Sequence, residues 1–213
     1  MKTTLYLVRH GQSVANMEKR ALGVRESDLS ALGYRQAAAT FEYMKDVHLD
    51  AVYSSPLRRA YLTALPHAEH RGLAVQCVDA LHEIDHGLWE EMSHEDIIHR
   101  WPYSFTEMWE GNFGVATAPG GEYVQDAATR VLNALAEIAK KHPGQAVLVG
   151  GHGCAYRAVI ARLLGIAPER VGKEFPYPPN ASVTTLIYED GCFSVAERPY
   201  SEHLNGFCAC YGY

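Results

Sequence analysis

The sequence contains no long apolar run and no excess of positive charge. None of its 213 residues belongs to a segment apolar enough to cross a bilayer, and no long apolar signal core precedes the first predicted strand. The formal net charge is -6 at pH 7, so the chain has no general attraction to nucleic acid or to an anionic membrane. Any anion-binding site must gather a few positive side chains locally. We therefore expect a cytoplasmic protein that binds neither nucleic acid nor a membrane.

Cysteine is scarce and scattered. The five cysteines are Cys77, Cys154, Cys192, Cys208 and Cys210. The last two lack a second pair at the spacing of a zinc site, and the histidines are mostly unclustered, so we predict no metal site. An odd, dispersed set of cysteines indicates reduced thiols. We expect Cys154 to be a small buried hydrophobe rather than a redox-sensitive thiol.

Internal repeats and long polar linkers are also absent, and strand and helix signals alternate along the chain. At 47% hydrophobic residues, the chain can build one large core, and we expect a single domain over residues 1–213. Strands are predicted at 3–8, 50–53, 74–78, 146–149, 182–188 and 193–198, and helices at 30–44, from Ser55 onwards, at 122–142 and at about 154–164. This order predicts a three-layer α/β/α fold with a mostly parallel mixed sheet. The hairpin around Glu189-Asp190-Gly191 adds at least one antiparallel strand.

Serine and proline indicate where two of the helices begin and end. Ser30 suits the N-cap of the helix that reaches Met44. Ser55 suits the cap of the next helix and Pro56 its first turn, and Pro66 should end or kink that helix.

Residues 92 to about 120 interrupt the alternation of strands and helices. This stretch interleaves several glycines with aromatic residues, which are Trp101, Tyr103, Phe105, Trp109 and Phe113. Ser93 suits a helix cap. We predict a small helical cap insertion of one or two short helices, whose aromatics form a satellite core rather than a ligand cage.

Three short motifs follow predicted strands. Arg9-His10-Gly11 follows the first strand, Gly151-His152-Gly153 follows the strand at 146–149, and Arg59 lies in the first turn after the second strand. Open α/β sheets bind ligands at the carboxyl ends of their strands, so we expect these side chains to share one site. Gly153 begins a helix, whose amides and dipole favour an anion. Each motif is weak alone, but together they indicate a phosphate site.

The order and spacing of the motifs resemble the histidine phosphatase superfamily, which includes cofactor-dependent phosphoglycerate mutases and their phosphatase relatives. The resemblance spans nearly the whole chain. The residues that carry it are Leu7-Val8-Arg9-His10-Gly11-Gln12-Ser13 with Asn16; Ser54-Ser55-Pro56-Leu57-Arg58-Arg59-Ala60 with Thr63-Ala64; Glu83-Ile84-Asp85-His86-Gly87-Leu88-Trp89-Glu90; Pro119-Gly120-Gly121-Glu122; and Gly151-His152-Gly153.

The resemblance implies a role for each of five residues. His10 would attack phosphorus through one ring nitrogen and form a phosphohistidine, while a backbone acceptor holds the other nitrogen. Arg9, Arg59 and His152 would surround the equatorial phosphoryl oxygens. Glu83 would protonate the leaving oxygen and later activate the water that cleaves the intermediate. This chemistry needs neither a metal ion nor another cofactor.

The resemblance also implies substrate-binding positions and two departures from the family pattern. Asn16 and Gly23 match phosphate-contacting and loop positions, and Gly153 belongs to the same substrate-binding set. Asp85, His86 and Glu90 are expected to be structural. Glu91 stands where many relatives have glycine and Tyr123 where many have serine, which affects the geometry of the substrate loops.

Three functions are compatible with these residues. The first is a phosphatase acting on a small phosphorylated metabolite, and the second is a phosphoglycerate mutase. A mutase should carry extra cations in its cap, but 92–120 holds Arg100 as its only permanent cation, which favours hydrolysis. The third is an inactive relative that binds a phosphorylated ligand or a protein. It should have lost His10, Glu83 or an arginine, and none is lost.

The oligomeric state and the last thirteen residues are left open by the sequence. A homodimer is possible. Residues 201–213, with Phe207, Tyr211 and Tyr213, could pack back on the domain, pair subunits or fray.

Overall fold

A six-stranded mixed sheet lies at the centre of the computed structural model, which describes residues 1–110, 118–204 and 206–207, without the side chains of 108–110. The strands are β1 (Thr3–Arg9), β2 (Ala51–Ser54), β3 (Val75–Cys77), β4 (Ala146–Gly151), β5 (Val183–Glu189) and β6 (Cys192–Tyr200). Their order across the sheet is β3-β2-β4-β1-β5-β6. The first four strands pair in parallel, and β5 and β6 pair antiparallel. The predicted mixed, mostly parallel sheet is confirmed.

Eight α-helices accompany the sheet in the described part of the chain. They are α1 (Val14–Met17), α2 (Ala31–Met44), α3 (Arg58–His70), α4 (His94–Arg100), α5 (Pro102–Glu110), α6 (Val124–Lys141), α7 (Gly153–Leu163) and α8 (Val171–Glu174). None of the helices in the described ranges is both long and apolar enough to span a membrane.

A layer of helices packs on each face of the sheet, because successive side chains of a strand point to opposite faces. Leu7 of β1 and Val149 of β4 pack with the apolar faces of α6 and α7. Val8 and Leu148, which point to the other face, pack with α2 and α3. The predicted three-layer α/β/α architecture is therefore confirmed.

The predicted start of α3 is wrong. The helix begins at Arg58, with Leu57 rather than Ser55 at the N-cap, and Pro56 lies before the helix. Of the two outcomes predicted at Pro66, an end or a kink, the end does not occur, because the helix continues through Pro66 to His70. Alanines on its inner face are fully buried against the sheet, and this tertiary packing outweighs the hydrogen bond that proline cannot donate.

Other helix and turn signals agree with the structure. Ser30 caps α2 by accepting a hydrogen bond from the Gly33 amide. The hairpin between β5 and β6 turns at Asp190 and Gly191, whose φ angles of 50° and 83° fit the type I′ turn favoured by an Asp-Gly pair.

The cap region contains two short helices, α4 and α5, and Ser93 caps α4. The prediction of a separate satellite core is wrong. Phe105 is buried in the same cluster as Leu81 and the helices behind the sheet, and Trp101 packs against that cluster. Tyr103 is exposed. The side chain of Trp109 and all of Phe113 lie outside the described residues.

The described part of the C-terminal segment packs back on α2. The ring of His203 stacks on that of Tyr43 with centroids 4.7 Å apart, and the Gln36 side chain donates to the Phe207 carbonyl at 2.6 Å. Tyr211, Tyr213, Cys208 and Cys210 lie outside the described residues. Cys77, Cys154 and Cys192 are free thiols.

Candidate active site

The register of the sheet brings the three predicted motifs to one edge. Arg9 at the end of β1 pairs with Gly151 of β4, and Ser54 at the end of β2 pairs with Gly150. The residues that follow these positions therefore meet at the carboxyl end of the parallel strands. A cavity opens there, and six of the predicted residues line it: Arg9, His10, Asn16, Gly23, Arg59 and Glu83.

His10 is buried, and its backbone and ring are both held in place. Its N–H donates to the Gly151 carbonyl at 2.9 Å, and its own carbonyl accepts from the Ala181 amide at 3.1 Å. Nδ1 lies 2.6 Å from the Gly11 carbonyl oxygen. A carbonyl can only accept, so Nδ1 carries a proton in this contact and, in the neutral ring, Nε2 keeps its lone pair.

The surroundings of His10 favour the neutral imidazole. Burial lowers its pKa well below the usual value, and the charges of Arg59 and Arg9 lower it further. The hydrogen bond to Gly11 acts in the opposite direction but does not reverse this. A neutral ring with a free Nε2 is the form that a nucleophile requires.

Arg9 and Arg59 are two almost fully buried cations. The Arg9 guanidinium donates to the Pro178 carbonyl and lies 4.7 Å from the centroid of the Tyr177 ring. Arg59 donates to the carbonyls of Gly23, at 2.7 Å, and Arg25, at 2.8 Å. Burial lowers the pKa of Arg59 to about 10, so it stays charged at neutral pH. Two buried cations at a cavity favour an anionic guest.

His152 packs against His10 and does not itself line the cavity. Their ring centroids are 5.3 Å apart. His152 Nε2 lies 2.8 Å from the Ser55 hydroxyl, and that hydroxyl accepts from the Leu57 amide, so its own proton is available to Nε2. His152 Nδ1 is a buried atom with no hydrogen-bond partner among the described residues. Burial, followed by the charge of Arg59, lowers the pKa of His152 well below its usual value.

Glu83 lies at the N-terminus of α7. One carboxylate oxygen accepts from the Ala155 amide at 2.9 Å and the other from the Cys154 amide at 3.0 Å. The first oxygen also accepts from the Ile84 amide at 2.9 Å. These amides of α7 therefore hold the Glu83 carboxylate rather than standing open to phosphate. The helix N-terminus does face an anion, but that anion is a side chain of the protein.

Gly153 does not line the cavity, because Tyr177 covers it. A Cβ at residue 153 would stand 2.5 Å from the Tyr177 hydroxyl oxygen, so the tyrosine needs glycine there.

Asn16 and Gly23 form part of the cavity wall. Asn16 belongs to the capping box of α1, and its side-chain oxygen accepts from Asn180 at 3.4 Å. Gly23 has a φ of 50°, and a Cβ there would lie 2.3 Å from a Glu90 carboxylate oxygen. Gly23 therefore lets the loop approach closely enough for its carbonyl to receive Arg59.

Seven further residues line the cavity without having been assigned to the site from the sequence: Arg20, Ala21, Leu22, His86, His94, Cys154 and Tyr177. Tyr177 lies in an irregular segment directly after Pro176, and no motif in that segment could have identified it.

Arg20 lies at the cavity wall, where it forms an ion pair with Glu18 at 3.0 Å and donates to the Glu91 carbonyl at 3.1 Å. Glu91 has a φ of 67°, in the left-handed region that favours glycine, which is the residue that the resemblance implies at this position.

The sequence model described as "Histidine phosphatase superfamily (branch 1)" matches residues 5–198. The chain belongs to the histidine phosphatase superfamily. This finding confirms the resemblance inferred from the motifs, together with the enzyme class that the resemblance implies.

Several relatives match this histidine phosphatase over most of their length. It is 39% identical over 162 residues to Phosphoserine phosphatase 1 of Hydrogenobacter thermophilus, covering 76% of each chain. It is 33% identical over 181 residues to a 2,3-bisphosphoglycerate-dependent phosphoglycerate mutase of Brucella anthropi, covering 82% of this chain and 87% of the relative. The solved structure of Bacillus stearothermophilus YhfR superposes with a TM-score of 0.88 at 31% identity, covering 95% and 99% of the two chains.

Proposed function

We propose that this histidine phosphatase hydrolyses a small phosphorylated metabolite through a phosphohistidine on His10. The observation that carries the proposal is the geometry of His10, whose Nδ1 is held by the Gly11 carbonyl while the neutral ring lines a cavity between Arg9 and Arg59. A hydrogen-bonded Nδ1 fixes the tautomer that leaves Nε2 free to attack. No metal or other cofactor is part of this proposal.

The reaction proceeds in two displacements. Nε2 of His10 forms a bond to phosphorus as the bond to the ester oxygen breaks, and protonated Glu83 gives its proton to that oxygen. The Glu83 carboxylate then takes a proton from water, whose oxygen attacks the phosphohistidine and releases phosphate and free His10.

The buried basic side chains stabilise the charge of the transferring phosphoryl group. Arg9 and Arg59 provide permanent positive charge at the cavity. Such donors stabilise the negative charge that spreads over the equatorial oxygens. The contact of His152 with the phosphoryl oxygens stays a prediction, because its side chain packs against His10 and does not line the cavity.

Arg20 supports a substrate that carries a second anionic group. The cap residue Arg100 is exposed and does not line the cavity, whereas Arg20 reaches it from the loop that follows α1. Phosphoserine and phosphoglycerate, which appear in the names of two relatives, are phosphate esters of small carboxylic acids. We propose a substrate of this kind, with its carboxylate towards Arg20.

Phosphoglycerate mutase is the second candidate, because one relative of 33% identity carries that name. The two activities differ in the fate of the phosphoryl group, which a phosphatase gives to water and a mutase returns to an organic hydroxyl. The cytoplasmic location and the homodimer stay predictions.

The test measures phosphate release by the purified protein on aryl phosphate, phosphoserine, 3-phosphoglycerate, sugar phosphates and nucleotides, with formation of 2-phosphoglycerate assayed in parallel. We expect phosphate release, fastest on the phosphorylated carboxylic acids, and none from a His10→Ala variant that melts like the native protein. Near-native turnover by His10→Ala contradicts the covalent mechanism. Isomerisation without phosphate release identifies a mutase, and inactivity in both assays favours a binding protein.

A further inference from the structure

Glu83 is carried by an irregular stretch of backbone between β3 and α4. Single 3-10 turns at Asp79–Leu81 and Gly87–Trp89 flank it, and no helix or strand includes residues 82–86. Backbone of this kind depends on contacts from elsewhere in the protein to hold a side chain in position. The Glu83 carboxylate is fixed by the amides of α7, but its backbone needs a separate support.

Arg130 of α6 supplies that support. One terminal nitrogen donates to the carbonyls of Ala80, at 2.8 Å, and His82, at 3.2 Å. The other donates to the Glu83 carbonyl at 3.5 Å. Arg130 therefore contacts the chain immediately before Glu83 and at Glu83 itself.

Glu122 holds Arg130 in a two-point ion pair. The Arg130 Nε lies 2.9 Å from one Glu122 carboxylate oxygen, and a terminal nitrogen lies 2.7 Å from the other. Both side chains are only 20% exposed. With the three carbonyl contacts, this pair uses all five N–H donors of the guanidinium.

Glu122 also belongs to the Pro119-Gly120-Gly121-Glu122 motif, and no residue of this motif takes part in the two proposed displacements. The Glu122 amide donates to the Asp85 carbonyl at 2.9 Å, and the Leu88 amide donates to the Pro119 carbonyl at 3.0 Å. A Cβ at Gly121 would lie 2.4 Å from the Asp85 carbonyl oxygen, so the motif packs directly on the segment that carries Glu83.

We propose that Arg130, oriented by Glu122, is a positioning residue that fixes the backbone of Glu83 for proton transfer to the leaving group. The proposal rests on the acid role of Glu83 in the proposed function. Arg130 acts through Glu83, so its loss should lower the rate of the proton-transfer step without weakening the binding of the phosphoryl group.

The test compares two substrates that differ in their need for an acid. A 4-nitrophenyl phosphate expels a stable anion that needs no proton, whereas an alkyl phosphate such as phosphoserine expels an alkoxide that does. We expect Arg130→Gln to lower kcat/KM, which reports the first displacement alone, by roughly 10- to 100-fold on the alkyl phosphate and by less than about 3-fold on the aryl phosphate. Arg130→Lys, which keeps some of the donors, should lie between Arg130→Gln and the native protein.

Two further variants keep the experiment decisive. Glu122→Gln retains Arg130 and serves if Arg130→Gln does not fold, and it should show the same preference for the aryl phosphate in smaller degree. Arg162→Gln is the matched control, because Arg162 also binds neighbouring side chains and a carbonyl, at Thr129 and Gln125, and should leave both rates unchanged.

The outcomes separate this proposal from the proposed function. Glu83→Gln sets the benchmark and should itself lower the alkyl rate more than the aryl rate. If Glu83→Gln shows that difference but folded Arg130→Gln and Glu122→Gln lower both rates equally, or neither, the positioning role is overturned and the acid role stands. If Glu83→Gln shows no difference between the two substrates, the acid role fails and the positioning role fails with it.

Discussion

At the scale of single residues, the protonation of His10 is set by what surrounds it. The ring is buried beside Arg59 and Arg9, and all three influences disfavour the charged imidazolium. An ordinary histidine would lose its nucleophilic form as the pH falls through about 6.5. His10, whose pKa is lowered, should keep it.

We therefore predict that His10 stays neutral at about pH 5.5, where an ordinary histidine is mostly charged. The sign follows from the lowered pKa, because protonation then occurs only at a pH well below 6.5. The measurement is an NMR titration of the histidine ring resonances, with His10→Ala used to assign the His10 signal. A His10 midpoint near 6.5 would refute this account of the site.

The residues that the sequence located belong to motifs that follow a strand in the chain. Arg9, His10, Arg59 and Glu83 line one cavity, as expected. Tyr177 and Arg130 were not found, because each reaches the site through the tertiary fold from a segment without a motif. The sequence also could not show that the α7 amides would be taken by Glu83, since that contact joins residues far apart in the chain.

At the scale of elements, α2 connects the C-terminal segment to the loop beside His10. The buried Gln36 side chain accepts from the Gln12 amide at 2.7 Å and donates to the Phe207 carbonyl at 2.6 Å. One turn later, the Thr40 hydroxyl donates to the Ala181 carbonyl at 2.9 Å. The C-terminal segment therefore completes a hydrogen-bond network that reaches the active-site loop.

We predict that Gln36→Leu destabilises the protein by about 1–3 kcal/mol, because it leaves the Gln12 amide and the Phe207 carbonyl without their partner. Urea unfolding gives the free energy, and kcat should fall as well because the loop after His10 loses a support. Arg35→Ala is the control, since it removes the cation 5.5 Å from the Phe207 ring centroid while the Gln36 amide stays in place. Equal losses in the two variants would show that the amide network has no special role.

Most elements were predictable because their hydrophobic period and their end signals agree. The Ser30 cap and the Asp190-Gly191 turn are local features, and each lies where it was expected. The start of α3 and its passage through Pro66 were not predictable, because packing on the sheet decides them. The cap aromatics were assigned to a separate core because the sequence does not show that α5 lies over the main one.

At the scale of the whole molecule, several buried histidines link stability to pH. Burial lowers the pKa of His67 and of His94 to about 4, and it also lowers those of His10, His86 and His152. The unfolded chain therefore binds more protons than the folded chain between about pH 4 and 6.5. Stability should be fully present above that window and should fall as the pH drops through it.

His67 allows this link to be tested away from the active site. Neither of its ring nitrogens has a hydrogen-bond partner among the described residues, and Phe41 packs edge-on against it with centroids 5.7 Å apart. We predict that His67→Leu, which keeps an apolar side chain of similar size, removes on the order of 2–3 kcal/mol of the loss in unfolding free energy between pH 7 and pH 4. Urea unfolding at both pH values measures it. An unchanged difference between the two pH values would mean that His67 does not contribute.

The most direct test of the central claim is to trap the phosphorylated enzyme. Glu83→Gln should slow turnover by roughly 10²-fold or more and let the intermediate accumulate, because Glu83 also activates the water that cleaves it. The variant is mixed with 4-nitrophenyl phosphate, whose leaving group needs no acid, so that only the breakdown of the intermediate is slowed. The reaction is quenched in alkali, since the phosphorus–nitrogen bond of phosphohistidine is labile in acid, and the peptides are analysed by mass spectrometry. The account predicts one phosphoryl group on the peptide that contains His10 and none in a His10→Ala control. Turnover with no phosphoryl group on that peptide, or with one on another residue, would contradict it.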